Sequence, residues 1–122
     1  MVVIWEFTRP HTIIGSVLSI VSLHLFAASA PGLSVLNLSA LGTALLWALV
    51  SGALVNLYVT GLNQLFDVEI DKVNKPYLPL ASGELSSGTA VAICAAFAIL
   101  GGGIVAVNFE PLITGLYAFG LF

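Results

Sequence analysis

Between Arg9 and Asp67 the chain carries no charged residue. That stretch cannot supply the charged surface a water-soluble domain requires, and the rest of the sequence does not make up the lack. Hydrophobic residues are 59% of the whole, charged residues 7%, and the mean hydropathy is +1.10. Such a chain reads as an integral membrane protein. Its formal net charge of −3 is local and leaves no basic surface for nucleic acid. The single cysteine, Cys94, excludes an intrachain disulfide and reads as a small packing residue.

The uncharged runs set the spans. Met1 to Phe7 forms a short amphipathic lead, with Trp5 and Phe7 suited to the membrane interface. Thr8, Arg9 and Pro10 look like a helix start, Thr8 as the cap and proline in the first turn. Residues 10–30 then supply about 20 residues without charge, the length a bilayer core demands, and Pro31 with Gly32 ends the run. A cleavable signal segment is the rival for this run, because Ala28-Ser29-Ala30 resembles a signal-peptidase site. The run is too long for that and Glu6 spoils the basic start.

Ser39 can cap a second helix that spans 39–66 and continues to Asp71, so that its acidic end emerges from the hydrocarbon. Asn56 and Tyr58 within it are expected to hydrogen-bond between helices. A loop follows over Lys72 to Glu84, where Pro76 and Pro79 disrupt helix. Ser86 or Ser87 caps a third span to about residue 108, in which Gly101-Gly102-Gly103 permits close helix approach. Glu110-Pro111 opens a fourth helix, too short by Phe122 to cross a bilayer. His11 and His24 are expected inside the bundle, partnered from another helix, with His11 near enough to the boundary to face a site.

The fold class expected is therefore all-α: a polytopic transmembrane helix bundle, one membrane domain over residues 1–122, with about three and a half spans and the look of the amino-terminal part of a larger protein. Arg9, Lys72 and Lys75 fall on one side of it. The positive-inside rule puts the N-terminus and the acidic stretch on the cytoplasmic or equivalent organellar side.

Asp67, Glu69, Asp71, Lys72, Lys75 and Glu84 are six of the nine charged residues, all between Asn63 and Ser86. Asn63, Asp67 and Asp71 are spaced i, i+4, i+8, which on one continuous helix puts three oxygen-bearing side chains on one face, the aspartates roughly 6 Å apart along the axis. That separation suits Mg²⁺, which takes one or two protein carboxylates and fills its other positions with water and substrate phosphate. The alternative is a solvated interfacial turn. Against it, aspartate is a poor helix former, and carboxylates at a helix C-terminus face the negative end of the dipole, an arrangement that a bound cation would relieve. Glu69 points away from this face, Lys72 reads as a solvated lysine, and Lys75 could contact phosphate. A transporter segment or non-catalytic membrane subunit is a further alternative, although a transport site belongs near the bilayer midplane rather than at one face.

The residues also carry a family resemblance. N-Q-L-F-D-V-E-I-D followed by N-K-P-Y-L-P-L-A-S-G-E-L-S, together with W-E-F-T-R-P-H-T near the start, resembles the UbiA-type intramembrane prenyltransferases, and within them the homogentisate prenyltransferase branch. The resemblance implies a helical bundle around a lipid-facing cavity, in which two aspartate-rich motifs hold Mg²⁺ and a prenyl diphosphate. Asn63, Asp67 and Asp71 would be the first motif: Asp67 and Asp71 catalytic, all three holding the metal and, with Lys75, the diphosphate. Gln64 stands where many members have aspartate. Leu78 stands where many have arginine, which makes Lys75 the local substitute. The implied reaction moves a prenyl group, phytyl in the first instance, onto homogentisate for tocopherol or prenylquinone synthesis in a cyanobacterial or plastid membrane. Solanesyl transfer to homogentisate and chlorophyllide esterification are the alternatives. No second aspartate-rich motif occurs in the sequence, so the chain by itself is expected to be inactive and to bind Mg²⁺ weakly.

Overall fold

A computed structural model describes residues 2–29 and 38–121. The elements are α1 (Val2–Thr8), α2 (His11–Ala28), α3 (Leu38–Phe66), α4 (Val68–Asn74), α5 (Pro79–Ser82), α6 (Ser87–Asn108) and α7 (Pro111–Gly120), and no strand occurs among the described residues. The all-α bundle expected of the sequence is the architecture found. Three helices, α2, α3 and α6, are long and apolar enough to cross a membrane. At about 1.5 Å per residue α3 is about 43 Å long and outreaches a hydrocarbon core near 30 Å. The stop at Pro31 and Gly32 and the loop after it lie outside the described residues.

The long helices form a row with α3 in the middle, packed on α2 along one side and on α6 along the other. No residue of α2 is buried, and Leu18, Leu23, Leu25 and Phe26 are widely exposed, as suits a helix whose outer face meets lipid. Side chains tie the row together. The Thr12 hydroxyl donates to Asn56 Oδ1 at 2.8 Å, and Asn56 Nδ2 donates to Ser16 Oγ at 3.2 Å, so Asn56 bonds between helices as expected. The Tyr58 hydroxyl reaches the carbonyl of Leu121, and the Tyr117 hydroxyl that of Ser51, which holds α7 against α3. Glycines let the helices close up. A Cβ on Gly61 would lie 2.5 Å from Cys94 Sγ and 2.9 Å from Phe7 Cζ. Of the Gly101-Gly102-Gly103 run only Gly101 does this work, facing Tyr117 and Leu54, while the other two meet nothing.

The tightest packing lies at one end of the row, where Phe7, Leu80, Ala90 and Cys94 are buried together beneath Tyr58, Leu65, Val68, Leu85 and Ile93. Phe7 is thus in the core rather than at the interface, whereas Trp5 is 65% exposed. Cys94 packs there as a small residue should.

Several boundaries correct the sequence reading. Thr8 is not the cap of the first span: it ends α1, its hydroxyl donating to the Trp5 carbonyl, and Arg9 breaks the chain between two helices. Pro10 disfavours α conformation in the residue before it, and Arg9 adopts φ 43°. The helix expected to run on to Asp71 stops at Phe66 and restarts as α4. The expected loop over Lys72–Glu84 is mostly helix, since α4 extends to Asn74 and α5 starts on Pro79 at N1 and ends on Gly83 at φ 82°. Ser86 and Pro111 open α6 and α7 as expected, Ser86 Oγ accepting from Thr89 N at 3.1 Å. Neither histidine has a hydrogen bond to another helix among the described residues. His24 bonds to Ile20 O one turn back, and His11 is exposed, because α2 packs on α3 alone of the long helices.

Candidate functional site

Asp67 sits in the joint between α3 and α4 with φ −96° and ψ 11°, close enough to helical that the hydrogen-bond row runs through it. The amides of Asp67, Asp71 and Lys75 donate to the carbonyls of Asn63, Asp67 and Asp71 at 2.9, 2.7 and 2.7 Å. One turn thus separates each member of the set from the next, and Asn63, Asp67, Asp71 and Lys75 remain in line. The joint changes the local electrostatics that the sequence suggested. Glu69 and Asp71 fall in the first turn of α4, at the positive end of a short dipole rather than the negative end of a long one.

The members of the row differ in environment. Asn63 and Asp67 are exposed, and neither side chain has a hydrogen bond or ion pair with any described residue. Asp67 occupies an N-cap position yet makes no capping bond, so its carboxylate is free. Asp71 is 5% exposed and held by Lys75 Nζ at 3.2 Å from Oδ1. Glu69 lies off the row and pairs with Lys72 at 2.6 Å in the open, as the helical geometry predicts.

No group of three or more His, Cys, Asp or Glu that could hold a metal occurs among the described residues. The row instead offers two carboxylates and an amide, all oxygen donors, which fits a hard cation that keeps water or phosphate in most of its positions. Titrating the 122-residue chain in lipid with Mg²⁺ is expected to show only weak binding, in the millimolar range, with little preference over Ca²⁺. Saturation at micromolar Mg²⁺ would require a third strong ligand and would overturn this picture of the row.

Gln64, the residue beside Asn63, faces the opposite way. Its Nε2 donates to the Phe7 carbonyl at 2.6 Å, while its Oε1 is buried without a partner. Sequence reading placed Gln64 only as a departure from a motif, although it ties α1 to the end of α3. A second feature also escaped the sequence reading. Trp5, Glu6, Arg9, His11, Ile14 and Tyr77 line a cavity of about 640 Å³, to which Leu78 also contributes. The clue was Arg9, the only cation in the first half of the chain, set among aromatic residues.

Residues 12–122 match the UbiA prenyltransferase family. The chain is 51% identical over 118 residues to the probable homogentisate phytyltransferase 1, chloroplastic, of Oryza sativa subsp. japonica, covering 93% of this chain and 28% of that protein. It is 54% identical over 97 residues to homogentisate phytyltransferase 1, chloroplastic, of Arabidopsis thaliana, covering 79% and 24%. Against the homogentisate phytyltransferase of Synechocystis sp. it is 46% identical over 82 residues, covering 67% and 26%. The chain therefore spans about a quarter of the length of these relatives. No solved structure matches it.

Proposed function

Because the chain belongs to the UbiA prenyltransferase family, we propose that it forms the first half-site of an enzyme that transfers a prenyl group, phytyl in the first instance, from its diphosphate to homogentisate. Residues 1–122 act as one membrane unit, in a plastid or cyanobacterial membrane like those of its chloroplastic and cyanobacterial relatives. The end that carries α1, α4 and α5 faces the cytoplasm or stroma, the side favoured by Arg9, Lys72 and Lys75. The observation that supports the reading above all is the row of Asn63, Asp67 and Asp71, oxygen donors in line, two of them with no partner among the described residues.

The reaction breaks the bond between the allylic carbon and the diphosphate oxygen, forms a carbon–carbon bond to the electron-rich ring and releases the displaced ring proton. In the phytyl case the acceptor's carboxylate leaves as CO₂ and a proton takes its place on the side-chain carbon. Asp67, Asp71 and Asn63 would hold Mg²⁺, whose positive charge, when bound, offsets that of the departing diphosphate. Asp67 is ready to bind because no described residue pairs with its carboxylate. Asp71 is kept in place by Lys75, whose ammonium, 42% exposed, can turn from it toward a phosphate oxygen. The apolar faces of α3 and α6 keep water from the developing cation.

A chimera tests this. The chain replaces the matching segment of Arabidopsis homogentisate phytyltransferase 1, and membranes are supplied with labelled phytyl diphosphate, homogentisate and Mg²⁺. Prenylated quinol is the expected product. Its absence at every metal concentration, with the chimera correctly inserted, would sink the enzyme reading. Relatives named for geranylgeranyl and solanesyl transfer to homogentisate are 46% and 45% identical, so the same assay should compare donors.

A further inference from the structure

The cavity beside the acid row has a composition that the metal half-site does not explain. Two of the three cations of the chain are spoken for, Lys72 by Glu69 and Lys75 by Asp71. Arg9 makes no ion pair or side-chain hydrogen bond with any described residue, although it lines a cavity that also contains Glu6. Its backbone is fixed from behind: its carbonyl accepts from the Thr12 amide at 2.9 Å. Tyr77 and Leu78 line it too, and the amide of Leu78 donates to the carbonyl of Lys75 at 3.0 Å, so one turn of chain joins the cavity lining to the end of the acid row.

Resting on the function proposed above, we propose that this cavity is where the acceptor binds, and that it takes an aromatic ring bearing one carboxylate and a hydroxyl. About 640 Å³ is within the range of small-molecule sites. A guanidinium matches a carboxylate with two parallel hydrogen bonds, which an ammonium cannot do. Trp5 and Tyr77 supply flat faces for a ring. Glu6 can accept a hydrogen bond from a hydroxyl of the ring. Arg9 thereby sets acceptor specificity, and it does so from the amino-terminal segment rather than from the aspartate motif.

The test uses the full chain in phosphatidylcholine nanodiscs and labelled homogentisate in equilibrium dialysis. Arg9→Asn removes the guanidinium while placing at φ 43° a residue that tolerates it, so loss of binding is not loss of fold. Saturable binding is expected, weakened at least about tenfold by Arg9→Asn and partly restored by Arg9→Lys. Methylhydroquinone, which lacks the carboxylate, should compete at least about tenfold less well than homogentisate. No saturable binding, equal binding by Arg9→Asn, equal competition by methylhydroquinone, or displacement by inorganic phosphate or phosphatidylglycerol more readily than by homogentisate would each overturn the assignment. The chimera separates this from the wider reading. Product with a homogentisate KM unmoved by Arg9→Asn removes only the acceptor site, whereas intact binding without any product removes the transferase.

Discussion

In the chimera, Asp67→Ala and Asp71→Ala are each expected to lower kcat/KM for phytyl transfer by at least about a hundredfold, the scale on which groups that stabilise transition-state charge act. Each removes one of two carboxylates from the row, and the described residues offer no third to replace it. Glu69→Ala is expected to change turnover by less than about twofold, because its side chain lies off the row and is spent on an exposed pair with Lys72, a kind of contact worth little. The two aspartates should also separate from each other. Asp67 is exposed and unpaired, so its loss should leave stability untouched. Asp71 is 5% exposed and paired with Lys75, so its loss removes a buried ion-pair partner and should lower stability as well, by an amount limited because the Lys75 ammonium is 42% exposed and can rehydrate. Initial rates over a range of Mg²⁺, with helicity by circular dichroism, check both points. Equal damage from all three substitutions would mean that the row does not face the substrate as a unit.

The second large effect is mechanical. A leucine at Gly61 would drive four heavy atoms into space held by Cys94 and Phe7, where even a Cβ lies 2.5 Å from Sγ. Overpacking of this kind costs about 1–3 kcal/mol when neighbours can yield. Here the neighbours belong to two other helices, so α1 and α6 must both move off α3. Gly102→Leu is the control, because nothing lies within 4 Å of a Cβ there. The readout is built in: Cys94 is the single thiol and is 2% exposed. Heating the detergent-solubilised chain with a fluorogenic maleimide should label Gly61→Leu at a temperature several degrees below wild type, and Gly102→Leu near it. Identical labelling curves would show that the junction at Gly61 is looser than described.

Span positions were legible in the sequence because lipid enforces them. A charge-free run near 20 residues has few other fates, and residues 39–66 and 87–108 are bounded by acids, prolines and a capping serine whose roles are local. The i, i+4, i+8 row was legible for the same reason, since the hydrogen bonds that keep it in line run along the backbone. The break at Asp67 was not, because a residue of modest helix propensity does not by itself decide between bending and continuing. Arg9 and Pro10 showed a boundary, yet whether that boundary starts a helix or joins two depends on Phe7 finding a place in the core. That place is built from Leu80, Ala90 and Cys94, far off in the sequence. The histidines failed similarly: a polar residue in an apolar run needs a partner, and no local pattern says whether its own helix will supply it, as Ile20 does for His24.

Gln64 grips the carbonyl of a residue made 57 positions earlier, and the pocket that swallows the Phe7 ring is finished only by Cys94. At a synthesis rate of about 5–20 residues per second, roughly 4 to 17 s separate the emergence of Phe7 from that of Cys94. For that interval the first helix has a ring and no seat for it. The seat is complete only once Leu80, Ala90 and Cys94 are in place, so α1 is expected to dock after α6 has entered the bilayer. The segment that carries Arg9 and the helix α4 that carries Asp71 therefore come together late, so the order of synthesis, rather than any single helix, sets the moment at which the two meet.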